Sequence, residues 1–456
     1  MGLVRPPTSF LGDLRRDQRR DQIFDAMVEN GSAQQRVLAT CRADEIAFSR
    51  FFRNPHFGDE ELRESLRQRT LERCAERAHV LVVQDTTEIN YQHHAARVRG
   101  LGPVGNGVDA GLFVHAVLAL DASNFSCLGL LDAMPWLRTP RIGNYRSLTI
   151  EYKESYRWLH GLNIGSSAAA EMVTIIHDRE GDTFETYVRQ PDPSCHILAR
   201  ACRTRTLTNG KCLFSTMGAM PASFSTAVEV TARPTKPARV ARLTVRFGEV
   251  ELKKPERCKE ATESCRLFAI DIAELPSRKV PKSERIHWRL LTTHDVKDAE
   301  KAMMVIDWYR QRWHIEQLFR ALKAQGLDIE ASQIEDAHAL EKLAVMAAHA
   351  ASRISQLVQA RDGNTDAKAA DVFEPEEIEV MLALLPKLEG KTEKQKNPHG
   401  PDTLAWCAWV VARLGGWKGY RHSEGPPGPL TMRRGYEAFC KIRDGYLLAH
   451  KNVCKP

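Results

Sequence analysis

The sequence predicts a protein of more than one domain that combines helices and strands in an α/β arrangement. Its 456 residues exceed what a single hydrophobic core usually holds. Short β-branched runs predict buried strands at residues 79–84 and 112–120, and residues 127–131 are expected to pair beside the second. In residues 193–287 apolar and polar side chains alternate and prolines recur, which predicts an antiparallel β insertion.

Helices are predicted before and after these strands in the sequence. Apolar residues recur at helical spacing within residues 1–58, with a break at Asn30-Gly31. Residues 298–324 predict the longest helix of the chain, with Asp298 as its N-cap. The remaining pattern consists of helical sequence after residue 338, a charged exposed loop at 387–401, and helices at 404–414 and 436–448.

Composition argues against several protein classes. No run approaches the about 18 apolar residues that a membrane span needs, and the N-terminus lacks an apolar signal core. The cysteines are odd in number and form no Cys-x-x-Cys pair, so neither a disulfide framework nor a zinc ribbon is expected. These features predict a cytoplasmic protein with free thiols and no membrane partner.

Basic residues cluster at two places in a chain whose formal charge is only +7. Such clusters suit contacts with DNA phosphates, which supply most non-specific affinity. An ordinary solvated face is the alternative, and charge alone leaves both open. The clusters are Arg15, Arg16, Arg19 and Arg20 near the N-terminus, and Arg200, Arg203 and Arg205 in the middle of the chain.

Three acidic residues stand out by their positions. Asp85 and Asp178 each directly follow an apolar run that predicts a strand, and Glu316 lies in the predicted helix 298–324. Around a single helix, Tyr309, Arg312, Glu316 and Lys323 would share one narrow stripe. The simpler interpretation of that stripe is an ordinary ion pair between residues 312 and 316, which stabilises a helix only slightly.

Carboxylates at strand ends, together with one on a helix, can hold divalent cations. Magnesium prefers a few carboxylates together with water and phosphate oxygens. Two such ions, about 3.5–4 Å apart, would activate a water or a 3′-hydroxyl and stabilise the leaving oxygen. Three gathered carboxylates repel one another without a cation, so such a site is expected to stay partly open until metal and DNA bind.

The stripe Tyr309-x2-Arg312-x3-Glu316-x6-Lys323 resembles the signature of DDE transposases of the bacterial insertion-sequence-four group. The resemblance extends in order over nearly the whole chain. Its further matches are Leu11-Gly12-Asp13, Arg50-Phe51-Phe52-Arg53-Asn54-Pro55, Gln84-Asp85-Thr86-Thr87, Lys153-Glu154-Ser155 before Trp158, Asp178-Arg179-Glu180 before Asp182, Trp288, and Arg413-Leu414-Gly415-Gly416.

The resemblance implies a ribonuclease-H-like catalytic core interrupted by an antiparallel β insertion. By this interpretation residues 1–58 form a helical domain that binds the transposon ends. Residues 59–355 form the catalytic domain, with the insertion at about 193–287. Residues 356–456 form a helical dimerisation domain, in which Trp406, Trp409, Leu414 and Trp417 offer apolar surface; a core within one chain is the alternative for them.

The implied activity is cut-and-paste transposition through a hairpin intermediate. Asp85, Asp178 and Glu316 would be catalytic and would hold two Mg²⁺ ions per active site, with Mn²⁺ as an expected substitute. The implied partner is double-stranded DNA, both the transposon ends and the target, and the chain would form a homodimer in the DNA-bound synaptic complex. The expected location is the bacterial cytoplasm, in association with the nucleoid.

The resemblance also implies DNA contacts. Tyr309, Arg312 and Lys323 would position phosphates, because a guanidinium donates two parallel hydrogen bonds to a phosphate and lysine supplies a point charge. Trp288 would stack on a flipped base, and an ordinary buried tryptophan is the alternative. Further implied contacts are Arg200, Arg53 and Arg320, the last standing where relatives carry lysine.

Other functions stay open at this point. The chain could be a catalytically silent DNA-binding relative that inhibits transposition, or a two-metal nuclease that does not join strands. Gly100-x-Gly102-x-x-Gly105 matches a dinucleotide-binding pattern. No apolar strand precedes it and no helix is predicted after it, so we expect a flexible loop.

Overall fold

The structure is a computed structural model that describes residues 9–138, 148–230, 238–277, 280–420 and 424–453. Residues 1–8 of the predicted N-terminal helical segment lie outside this part. The helices are α1 (Leu14–Asn30), α2 (Gln35–Leu38), α3 (Arg42–Phe52), α4 (Asp59–Ala75), α5 (Tyr156–Ser166), α6 (Phe184–Val188), α7 (Leu213–Ala219), α8 (Ala299–Arg310), α9 (Trp313–Leu322), α10 (Ala337–Ala360), α11 (Pro375–Leu388), α12 (Leu404–Leu414) and α13 (Pro429–Val453).

The strands alternate with these helices and give a mixed α/β fold. They are β1 (His79–Asn90), β2 (Gly102–Val104), β3 (Asp109–Asp121), β4 (Cys127–Trp136), β5 (Met172–His177), β6 (Cys195–Arg200), β7 (Phe224–Val230), β8 (Arg239–Lys253), β9 (Ser264–Glu274) and β10 (His287–Thr292). Residue contacts divide the chain into two compact units. The first comprises the described residues of 1–77, 86–140 and 314–456, and the second those of 78–85 and 141–313.

In the first unit, helices cover a small antiparallel group of strands. β3 pairs with β2 on one side, with the end of β1 on the other, and also with β4. Helices α4 and α10 pack on β4, and α1, α12 and α13 pack with α10. Helix α10 is buried along most of its length, which explains its alanine-rich, weakly polar sequence.

In the second unit, the strand order is β1-β5-β6-β10-β9-β8-β7. β1, β5 and β6 run parallel to one another. The neighbouring pairs β6–β10, β10–β9, β9–β8 and β8–β7 are all antiparallel. Helix α5 packs on β5, α8 on β6 and α7 on β8. The three parallel strands are apolar on both faces, as a sheet covered by helices requires.

Two glycines let α5 lie directly against the parallel strands. A Cβ at Gly161 would lie 2.2 Å from Oε1 of Gln84, and one at Gly165 would lie 2.5 Å from Cδ1 of Ile175. Both separations are far below van der Waals contact, so any larger residue would push the helix away. This close approach fixes the part of β1 that precedes Asp85.

Several predicted elements are confirmed. The strands at 79–84 and 112–120 exist and are longer than predicted, and residues 127–131 pair beside the second as part of β4. Gly31 ends α1 in the left-handed conformation, at φ 55°, and its N–H donates to the carbonyl of Met27. Helix α12 has the predicted bounds, and α13 includes residues 436–448.

The single helix predicted over residues 298–324 is wrong. The chain forms α8 and α9, separated by a turn in which the N–H of Arg312 donates to the carbonyl of Tyr309 at 3.1 Å. The apolar periodicity continues across this tighter turn, so the pattern could not reveal it. Asp298 does cap α8, because its carboxylate accepts from the N–H of Lys301 at 2.7 Å.

The longest described helices are α10 and α13. No helix of the described chain is both long enough and apolar enough to cross a membrane.

Two further expectations need correction. β6 falls inside the predicted antiparallel insertion, residues 193–287, but it pairs in parallel with β5, and the antiparallel strands follow from β7 onward. Gly102–Val104 forms the short strand β2 against β3 rather than a flexible loop. A strand of three residues gives too little alternation to be recognised. The three predicted domain ranges stay predictions.

The tryptophans of α12 lie in the interior of their own unit. Trp406 and Trp409 are 2% and 5% exposed. The interpretation of these residues as an apolar pairing surface is therefore wrong for both, since side chains committed to an intramolecular core cannot cover a partner. Trp417 is half-buried, and its indole N–H donates to the carbonyl of Gly425.

A buried ion pair fastens α4 to β4. The guanidinium of Arg63 lies 2.9 Å from the carboxylate of Asp132, with side-chain exposures of 7% and 0%. Arg63 also pairs with Asp59 on its own helix, and Arg67 lies 3.7 Å from Asp132. Removing the shared carboxylate would leave Arg63 with Asp59 and would take the nearest acid away from Arg67, and such a loss around largely buried cations is costly.

We expect Asp132→Ala to lower the free energy of unfolding by about 3–5 kcal/mol. Equilibrium urea denaturation of the full chain would measure the loss. Glu45→Ala serves as the control, because Glu45 pairs with Arg42 on an exposed face, where such a pair contributes about 1 kcal/mol or less. Equal, small losses in the two variants would contradict a structural role for the buried pair.

Candidate active site

Two of the predicted catalytic acids lie at the same level on neighbouring parallel strands. Val83 of β1 is paired in register with Ile176 of β5. Asp85, within β1, and Asp178, directly after β5, each stand two residues beyond this pair, so their side chains lie at one level and on one face of the sheet. Parallel neighbours are about 4.8 Å apart, which brings the two carboxylates close together.

Asp178 differs from the other acids of its segment. It follows β5 and is half-exposed, and its side chain makes no hydrogen bond to the residues that the structure describes. Asp182 is 1% exposed and accepts from the Tyr187 hydroxyl, from the N–H of Cys202 and from Arg205. Glu180 pairs with Arg157. Asp182 therefore holds its own loop together, whereas Asp178 stays available for a ligand.

Arg312 forms an ion pair with Asp85. Its Nη1 lies 2.9 Å from Oδ2 of Asp85, and the two side chains are 19% and 21% exposed. The guanidinium offsets the repulsion that Asp85 and Asp178 would otherwise feel as like charges. The predicted partner of Arg312 was a phosphate, and a phosphate would have to compete with this carboxylate.

Arg200 and Tyr309 belong to the same cluster. His177 of β5 is paired with Ala199 of β6, which puts Arg200 level with Asp178 and on its face. Tyr309 of α8 is 4% exposed. Burial, and then the charge of Asp178, raise the pKa of Tyr309 to about 12, against the opposing guanidiniums of Arg312 and Arg200. The phenol is therefore neutral at physiological pH.

Trp288 lies on β10 beside this cluster. Its ring meets that of Tyr309 edge-on, with centroids 5.7 Å apart. The residue is half-buried rather than enclosed, so one part of the indole can still receive a stacking partner.

The remaining predicted site residues belong to the first unit. Glu316 lies in the first turn of α9, where the helix dipole favours a carboxylate. Lys323 follows that helix, 3.8 Å from the carboxylate of Glu330. Arg320 is exposed on α9, and Arg53 is exposed at the end of α3. Tyr309 lies on α8, Arg312 in the turn after it and Glu316 on α9, so these residues do not belong to one continuous helix.

Both basic clusters are partly neutralised by acids. Arg205 is 9% exposed and pairs with Asp182 at 2.6 Å, so it cannot contact a phosphate in this conformation. Near the N-terminus, Arg15 pairs with Asp13, and Arg20 pairs with Asp17 and Asp21. Arg203 is exposed. The net charge of these segments is therefore lower than their arginine count suggests.

Sequence reasoning missed a cationic row on the antiparallel strands. Asp271 of β9 is registered with Arg246 of β8 and Arg289 of β10, and both guanidiniums lie within 3.7 Å of its carboxylate. Nε2 of His287 also lies 2.9 Å from this carboxylate, which accepts a hydrogen bond from the ring. The row carries more cations than acids and adjoins Trp288. Arg246 and Arg289 are 25 and 18 positions from Asp271 in sequence, so no local pattern connects them.

The acids of the second unit suit a hard cation by their chemistry. Carboxylate oxygens at an open strand edge are ligands that Mg²⁺ accepts. Within the described ranges, no cluster of three or more His, Cys, Asp or Glu side chains is already arranged around a metal position. Asp85 is engaged by Arg312, so cation binding at this edge would require that ion pair to rearrange.

Comparison with known proteins adds a family match. One solved structure that resembles the chain is a cryo-EM piggyBac transposase synaptic complex with hairpin DNA, at 10% identity, covering 96% of this chain and 79% of that one. Its TM-score of 0.35 is too low to carry an argument. Residues 240–352 of this chain match the family model described as the transposase DDE domain. This segment includes Glu316 but neither Asp85 nor Asp178.

Proposed function

We propose that the chain is a cut-and-paste DNA transposase that uses Asp85, Asp178 and Glu316 as its catalytic acids. The observation that carries the proposal is the level placement of Asp85 and Asp178 on adjacent parallel strands. The family match at residues 240–352 supports the same class of enzyme. Membership of the insertion-sequence-four group, and closeness to the transposase of transposon Tn-five, are finer predictions.

The three acids would hold the divalent cations, two Mg²⁺ per site by our proposal, with Mn²⁺ as substitute. When bound, such ions supply Lewis acidity at the phosphorus and lower the pKa of the attacking water. The protein's own contribution is positional. β1 and β5 fix two carboxylates at one level, and by our proposal Glu316, in the first turn of α9, supplies the third.

Arg312, Arg200 and Tyr309 would receive the scissile phosphate. Both guanidiniums already lie within the electrostatic reach of Tyr309, and Arg312 holds Asp85. As DNA binds, Arg312 would exchange the carboxylate for a phosphate group, to which its guanidinium can donate two parallel hydrogen bonds. The same exchange frees Asp85. Lys323, Arg320 and Arg53 would add contacts from the first unit.

The reaction sequence has four phosphoryl-transfer steps: hydrolysis at the transposon end, hairpin formation, hairpin opening and strand transfer into target DNA. A water oxygen first attacks phosphorus at the transposon end, the bond to the 3′-oxygen breaks, and a free 3′-hydroxyl forms. That hydroxyl attacks the opposite strand, which forms a hairpin and releases the flanking DNA. Water opens the hairpin, and the regenerated 3′-hydroxyl attacks target DNA, whose own 3′-oxygen leaves.

Hairpin formation needs a sharply bent strand, and Trp288 is placed to offset its unstacking cost. Stacking on one base can compensate a few kcal/mol of lost base stacking. The indole is half-buried beside Tyr309 and next to the cationic row of Arg246 and Arg289. That row would hold the phosphates that flank the flipped base.

The partners are double-stranded DNA and a second copy of the chain. The helical N-terminal segment, with Arg53, would recognise the transposon ends, and the homodimer would form in the synaptic complex. A bacterial, nucleoid-associated location follows from this function. Since Trp406 and Trp409 are internal, a dimer would use other side chains of the C-terminal helices.

A second candidate function is a catalytically silent DNA-binding relative. The observation that favours it is the ion pair between Arg312 and Asp85, which occupies a carboxylate that catalysis needs. The two candidates differ in whether DNA and metal break that pair.

We expect Asp85→Asn, Asp178→Asn and Glu316→Gln each to lower cleavage by at least about 100-fold. Even partners that only orient a metal ligand typically matter by about 10- to 100-fold. Labelled DNA from the borders of the coding region, incubated with Mg²⁺, would be followed through nicked, hairpin and joined products. Asp182→Asn is the contrasting variant: its loop is expected to lose stability, so its thermal unfolding temperature should fall.

Wild-type protein that binds border DNA but does not cleave it, whichever divalent cation is added, would establish the silent relative instead. Cleavage without joined products would indicate a non-transposing nuclease. Cleavage that survives in all three acid variants would refute the assignment of these residues.

We also expect Trp288→Ala to slow hairpin formation about tenfold or more while first nicking stays within about twofold of wild type, since one stacked base contributes about 1–3 kcal/mol. Single-turnover kinetics on a labelled transposon end would separate the two steps. Trp288→Phe should restore most of the hairpin rate. Equal slowing of both steps by Trp288→Ala would identify the residue as structural.

A further inference from the structure

The first unit contains a cavity of about 810 Å³ that no step of the proposed reaction uses. Helices α1, α4, α10 and α13 line it, together with residues 372–377. The volume lies within the range of about 300–1,000 Å³ that is usual for small-molecule sites. All the lining residues belong to one compact unit.

One wall of this cavity is formed by three arginines that have no acidic partner. Arg69 and Arg73 stand one turn apart on α4, and Arg353 lies on α10. Arg73 donates to the carbonyls of Leu128 and Asp371 at 2.9 and 2.6 Å, and Arg353 donates to the same Asp371 carbonyl at 3.2 Å. Within the described chain, none of the three forms an ion pair with a carboxylate.

The three charges interact unfavourably with one another. Burial, and then the neighbouring charges of Arg73 and Arg69, lower the pKa of Arg353 to about 10. Burial also lowers the pKa of Arg73. Both guanidiniums nevertheless stay protonated at neutral pH, so the wall keeps a concentrated positive charge. An anion bound there would relieve this repulsion.

Seven acids also line the cavity, and four of them pair with Arg20 or Arg443. Arg443 lies 2.5 Å from the carboxylate of Glu29 and 2.9 Å from that of Glu377. Arg20 pairs with Asp21. Burial, and then the charges of Glu29 and Asp21, raise the pKa of Asp25, whereas the charges of Arg443 and Arg69 act in the opposite direction. Asp25, Glu374 and Glu376 also line the cavity, but no carboxylate of the described chain forms an ion pair with Arg69, Arg73 or Arg353.

A histidine offers a further polar contact in the cavity. His349 of α10 is 5% exposed, and its Nε2 has no hydrogen-bond partner in the described residues. Burial lowers the pKa of His349 to about 4, so the ring is neutral at physiological pH. A neutral imidazole can donate to an oxyanion, and it stands one turn from Arg353 along the helix.

We propose that this cavity binds a small phosphate-type oxyanion, held by the guanidiniums of Arg69, Arg73 and Arg353. Guanidinium matches the oxygens of phosphate in paired hydrogen bonds, and three of them suit a phosphate or a pyrophosphate group. The cavity admits a small molecule but not a DNA duplex. The proposal is independent of the transposase function, since none of its residues belongs to the candidate active site.

The test is isothermal titration of the full chain with sodium pyrophosphate, in a metal-free buffer without phosphate or sulfate. Wild type should show saturable binding. Arg69→Ala and Arg353→Gln should each weaken it at least about tenfold, because a hydrogen bond to a charged group contributes about 1.5–3 kcal/mol. Arg69 is exposed and carries no structural hydrogen bond in the described chain, so its variant should fold even if Arg353→Gln does not.

Arg50→Ala is the matched control, because Arg50 is exposed on α3 and does not line the cavity. It should bind pyrophosphate as wild type does. Absence of saturable binding, or an equal loss in Arg50→Ala, would overturn the proposal. Citrate binding as tight as that of pyrophosphate would overturn the phosphate preference. Displacement of pyrophosphate by a short DNA duplex, dependent on Arg69, would reassign the arginines to DNA.

Discussion

The parallel pairing of β1 with β5 is the constraint on which the candidate active site depends. The register Val83 to Ile176 sets Asp85 and Asp178 level, and the pleat sends both side chains to one face. A slip of one residue would turn either carboxylate to the opposite face. The glycines of α5 protect this register, since a helix seated directly on Gln84 and Ile175 leaves the strands no room to shift.

Two adjacent carboxylates also create an electrostatic problem that the surrounding residues reduce. Arg312 pairs with Asp85, Arg200 stands level with Asp178, and the buried Tyr309 stays neutral. The same cations suit a phosphate. One set of side chains can therefore stabilise the acids in the free protein and bind the backbone of DNA, so that folding and ligand binding make compatible demands on the sequence.

Local patterns revealed much of this arrangement but not all of it. Apolar runs followed by an acid were sufficient to single out Asp85 and Asp178, because burial is a local property. The strand end predicted at Asp85 is wrong, since β1 continues to Asn90, whereas Asp178 does follow β5. The turn between α8 and α9 was invisible, since apolar periodicity continues through it. Pairings such as Arg63 with Asp132, or Arg205 with Asp182, depend on chain folding over long or irregular distances, and no spacing rule predicts them.

The arginines show why a count of charges is a poor guide to anion binding. Of the residues singled out as basic clusters, Arg15, Arg20 and Arg205 are paired with acids. Arg69, Arg73 and Arg353, which form no run in the sequence, face a cavity without an acidic partner. The free energy available for binding an anion depends on the charge left uncompensated after folding. That quantity becomes visible only when the partners of each guanidinium are known.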